Sequence, residues 1–121
     1  YDDGGTLIIE NNQLTNGDDD GLFFESYSSG SDDTRLLIRN NTVTDGVPHS
    51  IHVYWGALGD LCLELTGNTV NSDIVLEEDS DGDFGVEQFN ILDTLNTLNG
   101  GSMIDDGTGT FENLADGECS Q

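Results

Sequence analysis

Apolar and polar side chains alternate in short bursts along this chain, and the same burst is written three times. It appears as Leu7–Gly17 (LIIENNQLTNG), Leu36–Gly46 (LLIRNNTVTDG) and Leu63–Asp73 (LELTGNTVNSD). Asn12, Asn41 and Asn68 stand at equivalent positions, each followed two residues later by Leu14, Val43 or Val70. After every phrase a Gly, Asn or Asp turn leads to a second apolar run: Gly21–Ser26, Ser50–Trp55 and Asp73–Glu78. A period of two marks strands half-buried in a sheet, and no helical period of 3.6 is sustained across these segments. A repeat of about 28 residues is too thin to bury a core alone, so successive units must stack.

One unit therefore reads as strand, tight Asn turn, short strand, turn, strand, loop. Stacked in parallel, each strand sits about 4.8 Å from its counterpart in the next unit. Leu7/Ile9, Leu36/Ile38 and Leu63/Leu65 are then expected to point inward, with Glu10, Arg39 and Glu64 facing solvent. Asn12, Asn41 and Asn68 are expected to form a side-chain amide ladder, each taking a left-handed turn conformation that Asn tolerates.

The pattern apolar–x–apolar–x–(Asn/Gly)–Asn–x–(Val/Leu) resembles the right-handed parallel β-helix repeat proteins of the pectate-lyase-like fold over roughly residues 6–80. That resemblance implies an all-β solenoid of about three coils. Many members of the family are secreted polysaccharide lyases, hydrolases or surface adhesins. A leucine-rich repeat is the nearest rival, but its 20–29-residue period carries a denser Leu pattern. Residues 84–121 break the repeat. Val86, Phe89, Leu92, Leu95 and Leu98 fit one side of a short helix or of an irregular final coil. The run Gly109-Thr-Phe to Cys119 resembles the closing segment of secreted bacterial β-helix proteins. The expected organisation is coils over 1–83 and a C-terminal cap over 84–121, within one domain.

Composition narrows the function. Twenty-five Asp and Glu face two Arg and no Lys, for a formal charge of −23. Such a surface repels nucleic acid and anionic lipid, whose binding rests on Lys and Arg meeting phosphate. Acidic chains can be disordered, but the strand-like runs argue against that here. Asp-rich, lysine-free surfaces suit saline or calcium-rich water, where counter-ions screen self-repulsion. No stretch approaches the roughly 20 apolar residues of a membrane span. The chain opens on Tyr1 with neither Met nor a signal peptide, as expected of a mature or truncated form. Cys62 and Cys119 suit either one disulfide in an oxidising, extracellular or cell-surface setting or two free thiols. A bridge between them would pin the cap to the third coil.

Candidate chemistry is sparse. Lyases of this fold pair Ca²⁺ with a basic residue, and Arg39 is the only reasonable candidate, since Arg35 is expected at a coil edge; neutralising Glu10 or Glu64 is its expected work. Asp18–Asp20, Asp32-Asp33 and Asp105-Asp106 lie in Gly- and Ser-rich loops as solvated turns rather than as a hydrolase pair. His49 and His52, three apart on a strand, are expected on opposite faces. Asp79, Asp81 and Asp83 alternate as ligands for a hard cation would, but Phe84 and Asn90 replace the glycine and glutamate of an EF-hand loop. This loop is the candidate Ca²⁺ site, and no cofactor is required. Ile51, Val53 and Trp55 share an inward face, leaving Tyr54 outward as a candidate glycan contact. No catalytic constellation emerges, so the chain is not expected to be an enzyme. The expected function is structural: a secreted module that stacks on itself end to end as an extracellular filament, or that ends a larger surface adhesin by meeting upstream coils. The alternative is a polysaccharide-processing or glycan-binding domain.

Overall fold

The computed structural model describes residues 5–15, 21–26, 32–44, 49–79, 82–107 and 111–120. The chain folds as an all-β parallel solenoid with three sheets running along its length. The first sheet collects β1 (Gly5–Glu10), β4 (Thr34–Arg39), β7 (Leu61–Thr66), β10 (Phe84–Glu87) and β13 (Phe111–Leu114). The second holds two-residue strands: β2 (Gln13–Leu14), β5 (Thr42–Val43), β8 (Thr69–Val70) and β11 (Thr97–Leu98). The third holds β3 (Leu22–Ser26), β6 (His49–Trp55), β9 (Asp73–Glu78) and β12 (Met103–Gly107). Every pairing is parallel and joins a strand to its counterpart one turn away.

Register follows the repeat. Leu7, Leu36 and Leu63 align, as do Ile9, Ile38 and Leu65. In the third sheet Phe24, Val53 and Leu76 form another such file. These files face the core, where Leu36, Ile38, Val53, Leu63, Leu65 and Leu76 are wholly buried. Each buried aliphatic side chain stabilises the fold by roughly 2 kcal/mol, which is why a thin winding holds only when neighbours cover it. Trp55 joins the core, its indole N–H donating to the Gly59 carbonyl at 2.9 Å.

The repeat breaks at residue 84, but the sheets do not. Strand β10 pairs with β7, β11 with β8 and β12 with β9, so the irregular segment adds a further turn. Between β10 and β11 a 3-10 turn (Phe89–Ile91) and the single helical turn α1 (Leu92–Leu95) replace the usual corner. The final strand, β13, adds to the first sheet alone. The tail then folds back, and its 3-10 turn at Glu118–Ser120 packs against β4 and β7.

That tail corrects the expectation for the outer face of the first sheet. Glu64 is buried rather than solvated, and so is its strand neighbour Leu37. Cys62 and Cys119 form a disulfide that pins the tail there. The Glu87 carboxylate, also buried, accepts the backbone N–H of Gly117 at 2.8 Å and of Cys119 at 2.6 Å. Gly85 makes room for this layer, since a Cβ there would lie 2.6 Å from a Leu114 methyl.

Candidate functional site: the two ends of the solenoid

The asparagine ladder exists and has four rungs. The Asn12 amide nitrogen (Nδ2) donates to Asn41 Oδ1 at 3.0 Å, Asn41 to Asn68 at 3.0 Å, and Asn68 to Asn96 at 2.9 Å. Each acceptor oxygen also takes the backbone N–H of the preceding rung. Asn96 was not among the expected rungs. Its signal is the triplet Asn96-Thr97-Leu98, matching Asn41-Thr42-Val43 and Asn68-Thr69-Val70, but a helical turn replaces the alternating run that precedes the others. The left-handed conformation belongs one residue earlier than expected: φ is 60° at Asn11, 55° at Asn40 and 68° at Gly67. Gly67 is doubly constrained, because a Cβ there would collide with the Asn40 side-chain oxygen.

The ladder has a direction, and its two ends differ. In an interior rung Nδ2 makes two bonds, one back to a carbonyl of the preceding turn and one forward to the next Asn. Asn41 thus reaches Ile9 O at 3.0 Å, and Asn68 reaches Ile38 O at 3.1 Å. At the C-terminal end α1 closes the ladder. Leu92 O accepts both the backbone N–H and Nδ2 of Asn96, at 3.1 and 3.0 Å, where a further Asn would otherwise sit. At the N-terminal end no described residue closes it. Asn12 Nδ2 turns to its own neighbour, Glu10 O, at 3.1 Å, and among the described residues no donor meets Asn12 Oδ1.

The side chains tell the same story. Each of β1, β2 and β3 ends its sheet and has a strand partner on one side only. Ile8 and Phe23, in this first turn, are 51% and 52% exposed, and Leu7, Ile9 and Leu14 are only partly buried. The Phe23 ring stacks on His52 of the next turn, with centroids 4.7 Å apart and planes 14° from parallel. Its other face therefore looks out of the open end. At the opposite end two of the core files finish in polar residues, while those of Ile74, Val70 and Phe84 finish in Met103, Leu98 and Phe111. Asp105 stands in register with Leu76, and Asn113 with Val86. A cavity of about 510 Å³ opens there, walled by Leu76, Leu92, Leu98, Met103, Asp93 and Asp105.

Arg39 lies on the outer face, bonded through Nε to Glu64 and 3.9 Å from Glu10. The hydrogen bond to Glu64 is the main cause of its raised pKa, partly opposed by desolvation and assisted by the charges of Glu64, Glu10 and Glu87. It is the counter-charge of these carboxylates, as its strand position implied. His49 and His52 do not diverge as expected. A register shift between His49 and Ile51 changes the alternation, so the two rings meet edge-on at 5.2 Å. His52 also contacts Glu77 at 2.9 Å. Tyr54 does point outward, with its hydroxyl donating to Asp79 at 3.1 Å. Of the loop carboxylates, Asp79 is engaged by Tyr54, Asp83 donates its backbone N–H to Asp60, and Asp81 lies outside the described residues. Asp18–Asp20 also lie outside them. Among the described residues no group of three His, Cys, Asp or Glu is arranged to hold a metal ion.

Asp33, Asp60 and Asp83 form a second ladder, in which the Asp33 and Asp60 carboxylates accept the backbone N–H of Asp60 and Asp83 at 3.0 and 2.9 Å. It runs beside a groove of about 270 Å³ that also includes Arg35, Glu112 and Glu118. Comparison with protein-family models, with curated proteins and with solved structures found no match. The arrangement of the chain's own residues is what bears on function.

Proposed function

We propose that this chain is a structural module that terminates a longer parallel β-solenoid, as the end of an extracellular or cell-surface protein of the adhesin kind. The observation that carries this reading is the asymmetry of the asparagine ladder, open at Asn12 and closed at Asn96 by Leu92 O. Among the described residues β1, β2 and β3 each have a strand neighbour on one side only, and such edges are templates for further pairing. The disulfide and the lysine-free acidic surface suit an oxidising, cation-rich setting outside the cell. No helix among the described residues is long and apolar enough to cross a membrane.

A head-to-tail filament is the rival. It meets an obstacle in the strand count: the first sheet has five strands and the others four, so the C-terminal end is stepped. A second copy arriving with β1, β2 and β3 level could not pair with all three sheets at once. Asp105 would also come to lie against an apolar file, and burying an unpaired carboxylate is costly. Negative-stain microscopy and sedimentation with and without Ca²⁺ test the reading. Discrete, monomer-sized particles in every condition are expected. Fibres that lengthen with concentration would replace the terminal module with the filament subunit.

A further inference from the structure

Resting on that reading, we infer what the open end receives: a preceding winding of the same solenoid repeat, joined in one polypeptide to β1, and not a second copy of this module. The end specifies its occupant residue by residue. Asn12 Oδ1 has room for two donors, and interior rungs show which ones fit: a backbone N–H and an amide Nδ2 from an Asn one turn earlier. Asn12 Nδ2 then exchanges Glu10 O for the carbonyl that Asn41 finds in Ile9. Above Ile8 and Phe23 the occupant must supply apolar and planar side chains, continuing the files that run through Leu37 and His52. Above Glu10 it must carry a neutral or basic residue, because Arg39 is already bonded to Glu64.

Neither end of a second copy meets these terms. Its C-terminal Asn96 has spent its donors on Leu65 O and Leu92 O. Its N-terminal Asn12 would present one acceptor oxygen to another, and Glu10 would face Glu10. Two chains of charge −23 would also repel one another over their whole surfaces. A preceding winding, by contrast, repeats what Thr34–Asp60 already does for the strands beneath it.

The register makes the test direct. Gly5 aligns with Thr34, and Thr34 aligns with Leu61. A copy of residues 34–60 can therefore replace residues 1–4 and join Gly5 as Asp60 joins Leu61. The extended chain is expected to melt roughly 5–10 °C higher, and the N–H groups of Thr6, Ile8 and Glu10, which strand alternation aims at the open side, should exchange at least about 100-fold more slowly. The same graft carrying Asn41→Ala in the added copy should lose half or more of the gain. No rise in melting temperature, or an equal rise with the Asn41→Ala graft, overturns the inference. So does concentration-dependent pairing of the unextended chain into discrete dimers, which would make a second copy the occupant. Fibres sink the terminal-module reading; a failed graft with discrete particles sinks only the choice of occupant.

Discussion

The first and last turns of this solenoid are built from the same pattern and finished in opposite ways. At the first turn, apolar residues that would be core in any interior winding are left half covered, and the amide ladder runs out with an acceptor to spare. At the last turn a helical corner absorbs the spare donors, Asp105 and Asn113 end two of the core files, and a disulfide-held tail covers the outer face. A parallel winding has no natural stopping point, because each strand makes the template for the next. Stopping needs added chemistry, and among the described residues it stands at the C-terminal end.

The comparison is broken most severely by removing the clasp. Reducing Cys62–Cys119, or Cys119→Ser, releases a loop spanning 57 residues. This should cost about 4 kcal/mol in the chain-entropy estimate, a fall in Tm of roughly 15 °C. Hydrogen exchange at 111–120 should then match that at the open end; an unchanged melt would mean the tail holds without its bridge. Next come the ladder ends. Asn96→Ala removes a buried amide serving four partners and should cost about 3 kcal/mol, whereas Asn12→Ala should cost under about 1 kcal/mol. Equal costs in urea melts would erase the asymmetry.

A smaller effect is expected at the salt bridge between the turns. Arg39→Met leaves Glu64 facing a covered surface without its counter-charge and should cost about 2 kcal/mol, read by thermal melting. Smallest is the exposed rim: Ile8→Thr and Phe23→Thr should change stability by no more than about 0.5 kcal/mol in the isolated module. In the extended chain the same changes should cost more than in the isolated one. Equal costs in both would show that the rim residues are surface decoration.

Much of this was legible in the sequence because a solenoid repeats its rules. The alternation at Leu36–Arg39 and Leu63–Thr66 gave the inward files, the spaced asparagines gave the ladder, and Val53 and Trp55 on one parity placed Tyr54 outside. What escaped was non-periodic. Asn96 hid behind a helical turn, since no alternating run announces it. The His49–His52 contact depends on a register shift that residue identities do not encode. The burial of Glu64 comes from a tail many residues away, so strand parity alone read it as solvent-facing. The left-handed residue fell at Asn11, Asn40 and Gly67 because the ladder Asn needs its side chain turned inward, which leaves the preceding residue to make the bend.

Successive rungs of the ladder are separated by 29, 27 and 28 residues, yet the strands between them stay in register. Length differences are evidently taken up where the chain turns corners, so a gene of this kind can gain or lose whole windings by unequal recombination without disturbing those that remain. The closing segment alone would be exempt, since a duplicate of it inserted midway would halt the stack. Such proteins should therefore vary in reach through their middles while keeping a single, unrepeated finish.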